Sequence, residues 1–343
     1  MTVLRAVHVG VGLWGRSWAE LVARAPGYRL VGVAEAAPEG RAWAEGALGV
    51  PTFRDLDRAL KSVEADVVLL VSPPSTHRPL SELALARGCH VISEKPLALD
   101  IADARAIADA ATAAGRHAMV AQNYRFRRQS RALRELLQGG ALGSLLGAHI
   151  SCRRDLRDAH ITPRDWRGRM PHPYLLDMAI HHVDMLRMIT GSELVEVDAR
   201  GWRAPDSPFA HDPTVGALLT LADGTPVTYH GSWAEPLVET SWNGDWELVG
   251  SRGRATWAGG VDDALRGTVR FARYGEPAAR VPLPVLPAID RAAVLGELRR
   301  AIAEGVAPET SVADNMRSLA TILAIARSTE ERRPVRVEEI LDA

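Results

Sequence analysis

Asp177, His181 and Asp184 stand at the i, i+4, i+7 spacing of a helix, and at 100° per residue the three fall within about 60° of one another. They interrupt an otherwise apolar run: Leu175, Leu176, Met178, Ile180, Val183, Met185 and Leu186 surround them, so the polar stripe is expected to face a protein cleft rather than bulk water. Histidine titrates near neutrality, which suits His181 to accept a proton from a hydroxyl group, with Asp177 orienting it or holding substrate. The same residues, with His182, would also serve as a buried polar network. An aspartate and a histidine four apart can share a cation, but no third ligand motif accompanies them and no metal is expected.

The second group is Glu94-Lys95-Pro96. Lys61 and Lys95 are the only lysines of a chain with 41 basic residues. Lys61 lies in a polar helical stretch, whereas Lys95 follows the apolar strand pattern His90 to Ser93. A compact ammonium there does what a guanidinium cannot: it can stabilise the negative charge that develops on a hydroxyl oxygen when a hydride leaves the neighbouring carbon. The competing role is a surface lysine paired with Glu94.

The elements that must position these groups begin at the N-terminus. An apolar strand, Val3 to Val9, runs into Gly10-Val11-Gly12-Leu13-Trp14-Gly15 and then into a helical pattern from Ser17 to Ala25. Strand, glycine turn and helix form the context in which G-x-G-x-x-G binds a dinucleotide: Gly10 makes the turn, Gly12 admits the pyrophosphate, and Gly15 lets the helix pack close with its positive end toward the phosphates. The next strand ends at Glu35, 20 residues after Gly15, where a carboxylate accepts from the adenosine ribose hydroxyls and repels a 2′-phosphate. NAD is the expected cofactor, with NADP kept open by Arg41. Further strand ends should border the same cleft: Ser72-Pro73-Pro74-Ser75-Thr76-His77, in which Ser72, Pro73 and His77 are cofactor candidates, and Glu94-Lys95, with Gln122 after the last strand. His77 would alternatively cap the helix that follows it.

Strand patterns at Val3 to Val9, Leu30 to Ala34, Val67 to Val71, His90 to Ser93 and His117 to Ala121 alternate with amphipathic stretches. The clearest of these is Ile101 to Ala114, between Asp100 and Gly115 as caps. That alternation predicts an α/β, doubly wound parallel sheet. After about Arg125 the pattern changes to helices near 128 to 138 and 175 to 190. Strands at Leu194 to Trp202, Thr214 to Leu221, Val227 to Trp233 and Trp242 to Val249 follow, and then helices near Ala292 to Glu304 and Val312 to Ser328. This predicts an α+β domain with an antiparallel or mixed sheet. The expected division is 1–123 for the dinucleotide and 124–343 for substrate and self-association, with the closing helices able to pack back on the first domain.

Composition excludes several classes. Apolar residues make up 47%, charged residues 24%, and the formal net charge is -1, which offers no electrostatic footprint for nucleic acid. Cys89 and Cys152 are isolated, so neither a disulfide framework nor a zinc site is implied. No apolar run approaches the roughly 20 residues of a membrane span, and a cytoplasmic location is expected.

With these motifs in this order the chain resembles the Gfo/Idh/MocA family, named for glucose-fructose oxidoreductase and inositol dehydrogenase. The resemblance rests on the glycine loop, Glu94-Lys95-Pro96, Gln122-Asn123-Tyr124-Arg125-Phe126, Asp177-x-x-x-His181-x-x-Asp184 and Glu309-Thr310-Ser311. It departs at Met170-Pro171-His172-Pro173-Tyr174, where family members often carry glycines. It implies an N-terminal Rossmann domain, a C-terminal domain with a large open, mostly antiparallel sheet used in dimers or tetramers, and a catalytic set of Lys95, Asp177 and His181. The expected activity is hydride transfer between NAD and a ring hydroxyl of a sugar, inositol or glycoside. NAD-assisted glycoside cleavage through transient ring oxidation and a non-catalytic sensor are the alternatives. Tyr124, Arg125, Arg153, Trp166, His182 and Trp242 are pocket candidates, since stacking faces and fixed donors suit sugar rings. His160, His172 and His211 are expected to be loop residues without a role.

Overall fold

The computed structural model of the chain describes residues 3–157, 166–236, 238–259 and 267–343, without the side chains of 166 and 167. His160 and the Trp166 side chain therefore lie outside the described residues. The chain divides into two units, Met1–Asn123 with Asp290–Met316, and Tyr124–Ile289 with Arg317–Ala343.

In the first unit the apolar runs become β1 (Leu4–Val9), β2 (Tyr28–Ala34), β3 (Thr52–Phe53), β4 (Val67–Leu70), β5 (His90–Ser93) and β6 (Ala118–Val120). They form a parallel sheet in the order β3-β2-β1-β4-β5-β6. Every residue of β4 is buried, as a parallel strand covered on both faces requires. The order reverses between β1 and β4, and at such a switch point the carboxyl ends of the strands open a crevice for a ligand. Helix Ile101–Ala114 starts and stops where its caps predict: the Asp100 side chain accepts from the Asp103 amide, and Gly115 takes the left-handed conformation. The short edge strand β3 was not anticipated, since two residues carry no period.

The second unit holds a nine-stranded sheet. Its strands are β7 (Leu145–Arg153), β8 (Leu194–Trp202), β9 (Thr214–Leu221), β10 (Pro226–Ser232), β11 (Asp245–Gly250), β12 (Gly253–Ala258), β13 (Thr268–Arg273), β14 (Ala279–Arg280) and β15 (Val335–Arg336), in the order β14-β13-β12-β11-β7-β10-β9-β8-β15. Only β7 and β10 pair in parallel; the other neighbours are antiparallel. Alternation sorts the two faces. Ile150, Cys152, Tyr229, Trp246, Leu248 and Trp257 point into the core, whereas His149, Arg200, Trp202 and Leu218 on the other face are exposed. The segment expected as one helix from 175 to 190 is a π-helical turn, Leu175–Ala179, followed by α-helix Ile180–Thr190. Among the described residues no helix is long and apolar enough to cross a membrane.

Candidate active site

The glycine loop answers to sterics. Gly10 has φ +89°, and a Cβ on it would lie 2.3 Å from the Val71 carbonyl oxygen; a Cβ on Gly15 would lie 2.2 Å from the Gly10 oxygen. Those two glycines are therefore demanded by the protein itself. Gly12 is different, because a Cβ there would meet nothing within 4 Å. The fold itself therefore does not require a glycine at this position, and a bare backbone here leaves room for a group to approach the loop closely. Helix Leu13–Arg24 begins beside it with no side-chain cap and no acidic residue in its first turn, which leaves its amides and positive end for an anion. Leu13 is exposed and Trp14 partly so.

Glu35, at the end of β2, accepts from the Val11 amide with Oε2 and from the Ala37 amide with Oε1, each at 2.8 Å. The carboxylate is thus fixed beside the loop and keeps lone pairs for further donors. Arg41 is turned onto the carbonyls of Glu35 and Ala36, at 2.8 and 2.7 Å. Replacing Glu35 by Ser removes the negative charge that a 2′-phosphate would meet if a dinucleotide lies on this loop, and leaves Arg41 nearby. The variant should shift the ratio of kcat/KM for NADP over NAD upward by about 10- to 100-fold, measured with both cofactors; an unchanged ratio would place selectivity elsewhere.

Glu94 ties the loop helix to the Lys95 segment. Its Oε1 accepts from the indole N–H groups of Trp14 at 3.0 Å and Trp18 at 2.6 Å, and its Oε2 from the Lys95 amide at 3.0 Å. The Arg291 guanidinium lies over both indoles, 4.6 and 5.4 Å from their centroids. Glu94 is buried and Lys95 half-buried. Ser72 bonds Thr76 through their hydroxyls at 2.7 Å, Pro73 is exposed, and Gln122 is buried at the end of β6. His77 corrects an expectation. It is fully buried, with Nε2 2.9 Å from the Ser72 oxygen and Nδ1 3.0 and 3.1 Å from those of Pro96 and Leu97. Its ring braces one cleft loop against another instead of facing a cofactor, and burial lowers its pKa.

In the second unit the polar stripe divides by partner. Asp184 is spent on structure: Arg125 donates to it twice, at 2.6 and 2.8 Å, and the Ser318 hydroxyl donates at 2.9 Å. The ion pair is buried on both sides, where removing one partner costs about 3–5 kcal/mol. Arg125 therefore anchors the helix and does not reach for substrate. His182 is likewise internal. Its Nδ1 lies 2.9 Å from the Tyr229 hydroxyl and its Nε2 3.1 Å from the Trp242 oxygen; a carbonyl only accepts, so Nε2 carries the proton and Nδ1 accepts from the phenol. Burial pushes His182 down to about 4, and neither nitrogen remains for a ligand. Arg153 also leaves the pocket list. It bonds Ser151, the Val238 oxygen and Asp245, which puts it on the sheet face opposite Cys152 and the helix layer.

Asp177 and His181 complete the stripe. Asp177 is half-buried in the π-turn, and His181 sits in the first turn of the helix after it. The π-turn widens the path of the chain, so the 100° projection does not hold between these two residues. Tyr174 enters the turn and His182 follows it, and both bond one phenol: the Tyr174 and Tyr229 hydroxyls are 2.7 Å apart. Tyr229 therefore staples both sides of the segment that carries Asp177 and His181. Tyr229→Phe should orphan the buried His182 Nδ1 and leave the Tyr174 hydroxyl with Cys152 alone, costing about 1–3 kcal/mol, read as a lower urea midpoint; an unchanged midpoint would contradict the staple. His172 is more than a loop residue. It holds φ +45° between Pro171 and Pro173, its Nε2 lies 2.9 Å from Glu330 Oε1, and its oxygen accepts from the Leu176 amide at the start of the turn.

Sequence reasoning missed Arg127, Tyr174, Tyr229 and Asn243. The run Arg125-Phe126-Arg127-Arg128 beside a helix start was the available signal for the first; nothing local marked the others. Trp242 lies under the Arg154 guanidinium, 4.4 Å from its centroid.

Comparison with known proteins agrees with this fold. Residues 4–122 match the family model GFO_IDH_MocA, described as an oxidoreductase family with an NAD-binding Rossmann fold, and residues 130–256 match the GFO/IDH/MocA C-terminal domain. The chain is 27% identical over 342 residues to a D-apiose dehydrogenase of Paraburkholderia graminis, covering 97% of this chain and 89% of the relative. It is 28% identical over 305 residues to a myo-inositol 2-dehydrogenase of Thermotoga maritima, covering 86% of each. Its fold resembles that of an aldose-aldose oxidoreductase from Caulobacter crescentus, with a TM-score of 0.85 at 24% identity over 97% of this chain and 99% of that one.

Proposed function

The chain belongs to the GFO/IDH/MocA oxidoreductase family, and from that premise we propose that it is an NAD-dependent dehydrogenase or reductase. In this reading it moves a hydride between nicotinamide and a ring hydroxyl or ketone of a sugar, inositol or glycoside. The observation that carries the cofactor half is Gly12, whose missing side chain the protein itself does not require, beside an uncapped helix end and the tethered Glu35 carboxylate. Relatives named for D-apiose and for myo-inositol support a polyhydroxylated substrate.

A nicotinamide dinucleotide, held by the glycine loop and Glu35, would supply the hydride acceptor or donor. His181 takes the proton from the substrate hydroxyl as the carbon–hydrogen bond breaks, and returns it in the reverse direction. The Lys95 ammonium stabilises the oxygen while it carries negative charge, and Asp177 orients His181 or holds a neighbouring hydroxyl. Glu94 fixes the Lys95 backbone, and the Arg125–Asp184 pair and Tyr229 fix the segment bearing His181.

The test is to incubate the purified protein with NAD, and separately NADP, against inositols, monosaccharides, sugar acids and aryl glycosides, following reduced-nicotinamide absorbance and product mass. Turnover with NAD and a ring polyol is the expected result. Free aglycone without net reduction would move the reading to redox-assisted glycoside cleavage, and silence throughout would favour a sensor.

A further inference from the structure

Tyr124 lies face to face with His181: the ring centroids are 4.1 Å apart and the planes differ by 8°. The guanidinium carbon of Arg127 is 3.3 Å from the centroid of the same phenol ring. An imidazole and a guanidinium cannot share one face of a six-membered ring at those separations, so Arg127 covers the face turned away from His181. Both faces of Tyr124 are taken, and the ring cannot stack on a sugar as the sequence suggested. Arg127 is held in turn by Asn243, to whose side-chain oxygen its Nη1 donates. Asn243 belongs to the turn before β11. Its backbone and side-chain nitrogens each donate to the Ser241 hydroxyl at 3.3 Å, and its carbonyl accepts from the Trp246 indole at 2.7 Å. Tyr124, Arg127, His181 and Asn243 are all buried.

We propose that Asn243, Arg127 and Tyr124 form a clamp that fixes the plane of the His181 imidazole, and that all three are positioning residues for proton transfer. The physical reason is directional. A nitrogen lone pair serves as a base only when aimed at the hydroxyl, and an imidazole on a helix turns about two side-chain bonds unless something flat lies against it. A phenol ring supplies the flat surface, and a cation over its far face holds that ring in place by its attraction for the π cloud. Asn243 sets the cation, so the chain of contacts runs from a rigid sheet turn to the base. The Trp242 carbonyl of the same turn receives His182, and one turn thereby references two consecutive residues of the helix.

The inference rests on the reading of His181 as the proton-transfer group, and the experiment separates the two. Tyr124→Leu, Tyr124→Phe and Arg127→Met are compared with the unaltered protein in kcat, in KM for substrate and in NAD binding. His181 carbethoxylation by diethyl pyrocarbonate is followed by peptide mass, with the exposed His149 and His211 as references in the same sample. Tyr124→Leu and Arg127→Met are expected to lower kcat about tenfold or more, as a misaimed base does, with NAD binding retained, and to raise the His181 modification rate several-fold relative to the references. Tyr124→Phe should recover most of the kcat lost in Tyr124→Leu, since it keeps the ring. Unchanged kcat and unchanged His181 reactivity in both Tyr124→Leu and Arg127→Met would overturn the clamp. So would a Tyr124→Phe variant as impaired as Tyr124→Leu, which would point to the hydroxyl. If His181→Ala itself kept full turnover, the base reading would fall while the modification rates still decided the clamp.

Discussion

His181→Ala is expected to lower kcat/KM by about 10²- to 10⁴-fold, the usual worth of a positioned acid or base, while leaving the affinity for NAD within about twofold. The asymmetry follows from where the parts lie. The glycine loop, Glu35 and the uncapped helix end belong to one unit and are held by their own contacts with Val11, Ala37 and Glu94. His181 belongs to the other unit, and its supports are the π-turn, Tyr124 and the buried Arg125–Asp184 pair. Truncation removes the ring without touching either polar anchor of the helix. Equilibrium titration of NAD fluorescence quenching, set beside steady-state rates, separates the two quantities. Equal loss of binding and turnover would mean that His181 supports the fold or the cofactor rather than the proton.

Lys95→Ala should be nearly as severe, at about 10²- to 10³-fold in kcat, because a charge that meets the oxygen only as it becomes anionic acts on the transition state. Lys95→Arg should not restore it. The segment is tightly fixed: the Lys95 amide is bonded to Glu94, whose carboxylate is clasped by two indoles, and Pro96 and Leu97 are buried. A planar guanidinium of different reach cannot take the place of a compact ammonium there. A kcat within about threefold of the parent for Lys95→Ala would remove Lys95 from the chemistry.

Much of the first unit was legible because its signals are local. Gly10, Gly15 and Gly115 are dictated by backbone conformation or close approach, and Asp100 by helix capping. β4 and β5 are short apolar runs that only burial on both faces explains. The second unit was harder to read. β7 lies in the middle of its sheet, between β11 and β10, yet its buried face carries the small Ala148 and Cys152 around a single Ile150, and its partners are some 80 to 100 residues away in sequence. The polar stripe was visible, but not the sorting of its members. Whether Asp184 or His182 is free for chemistry depends on Arg125, Ser318 and Tyr229, which only tertiary structure brings to them. The π-turn was equally hidden, since nothing in Leu175 to Ala179 announces an added residue in the turn. Sequence chemistry named the residue types that can react; packing decided which of them are already occupied.

The most direct test of the central claim is isotopic. A ring polyol that supports turnover is prepared with deuterium on the carbinol carbon, incubated with the protein and unlabelled NAD, and the reduced cofactor is weighed by mass spectrometry. The account predicts reduced nicotinamide one mass unit heavier, with label passed directly from carbon to cofactor and absent from water, and in His181→Ala the same transfer slowed by about 10²- to 10⁴-fold. Reduced cofactor without deuterium, or label recovered in water while product forms, would contradict hydride transfer as the reaction of this protein.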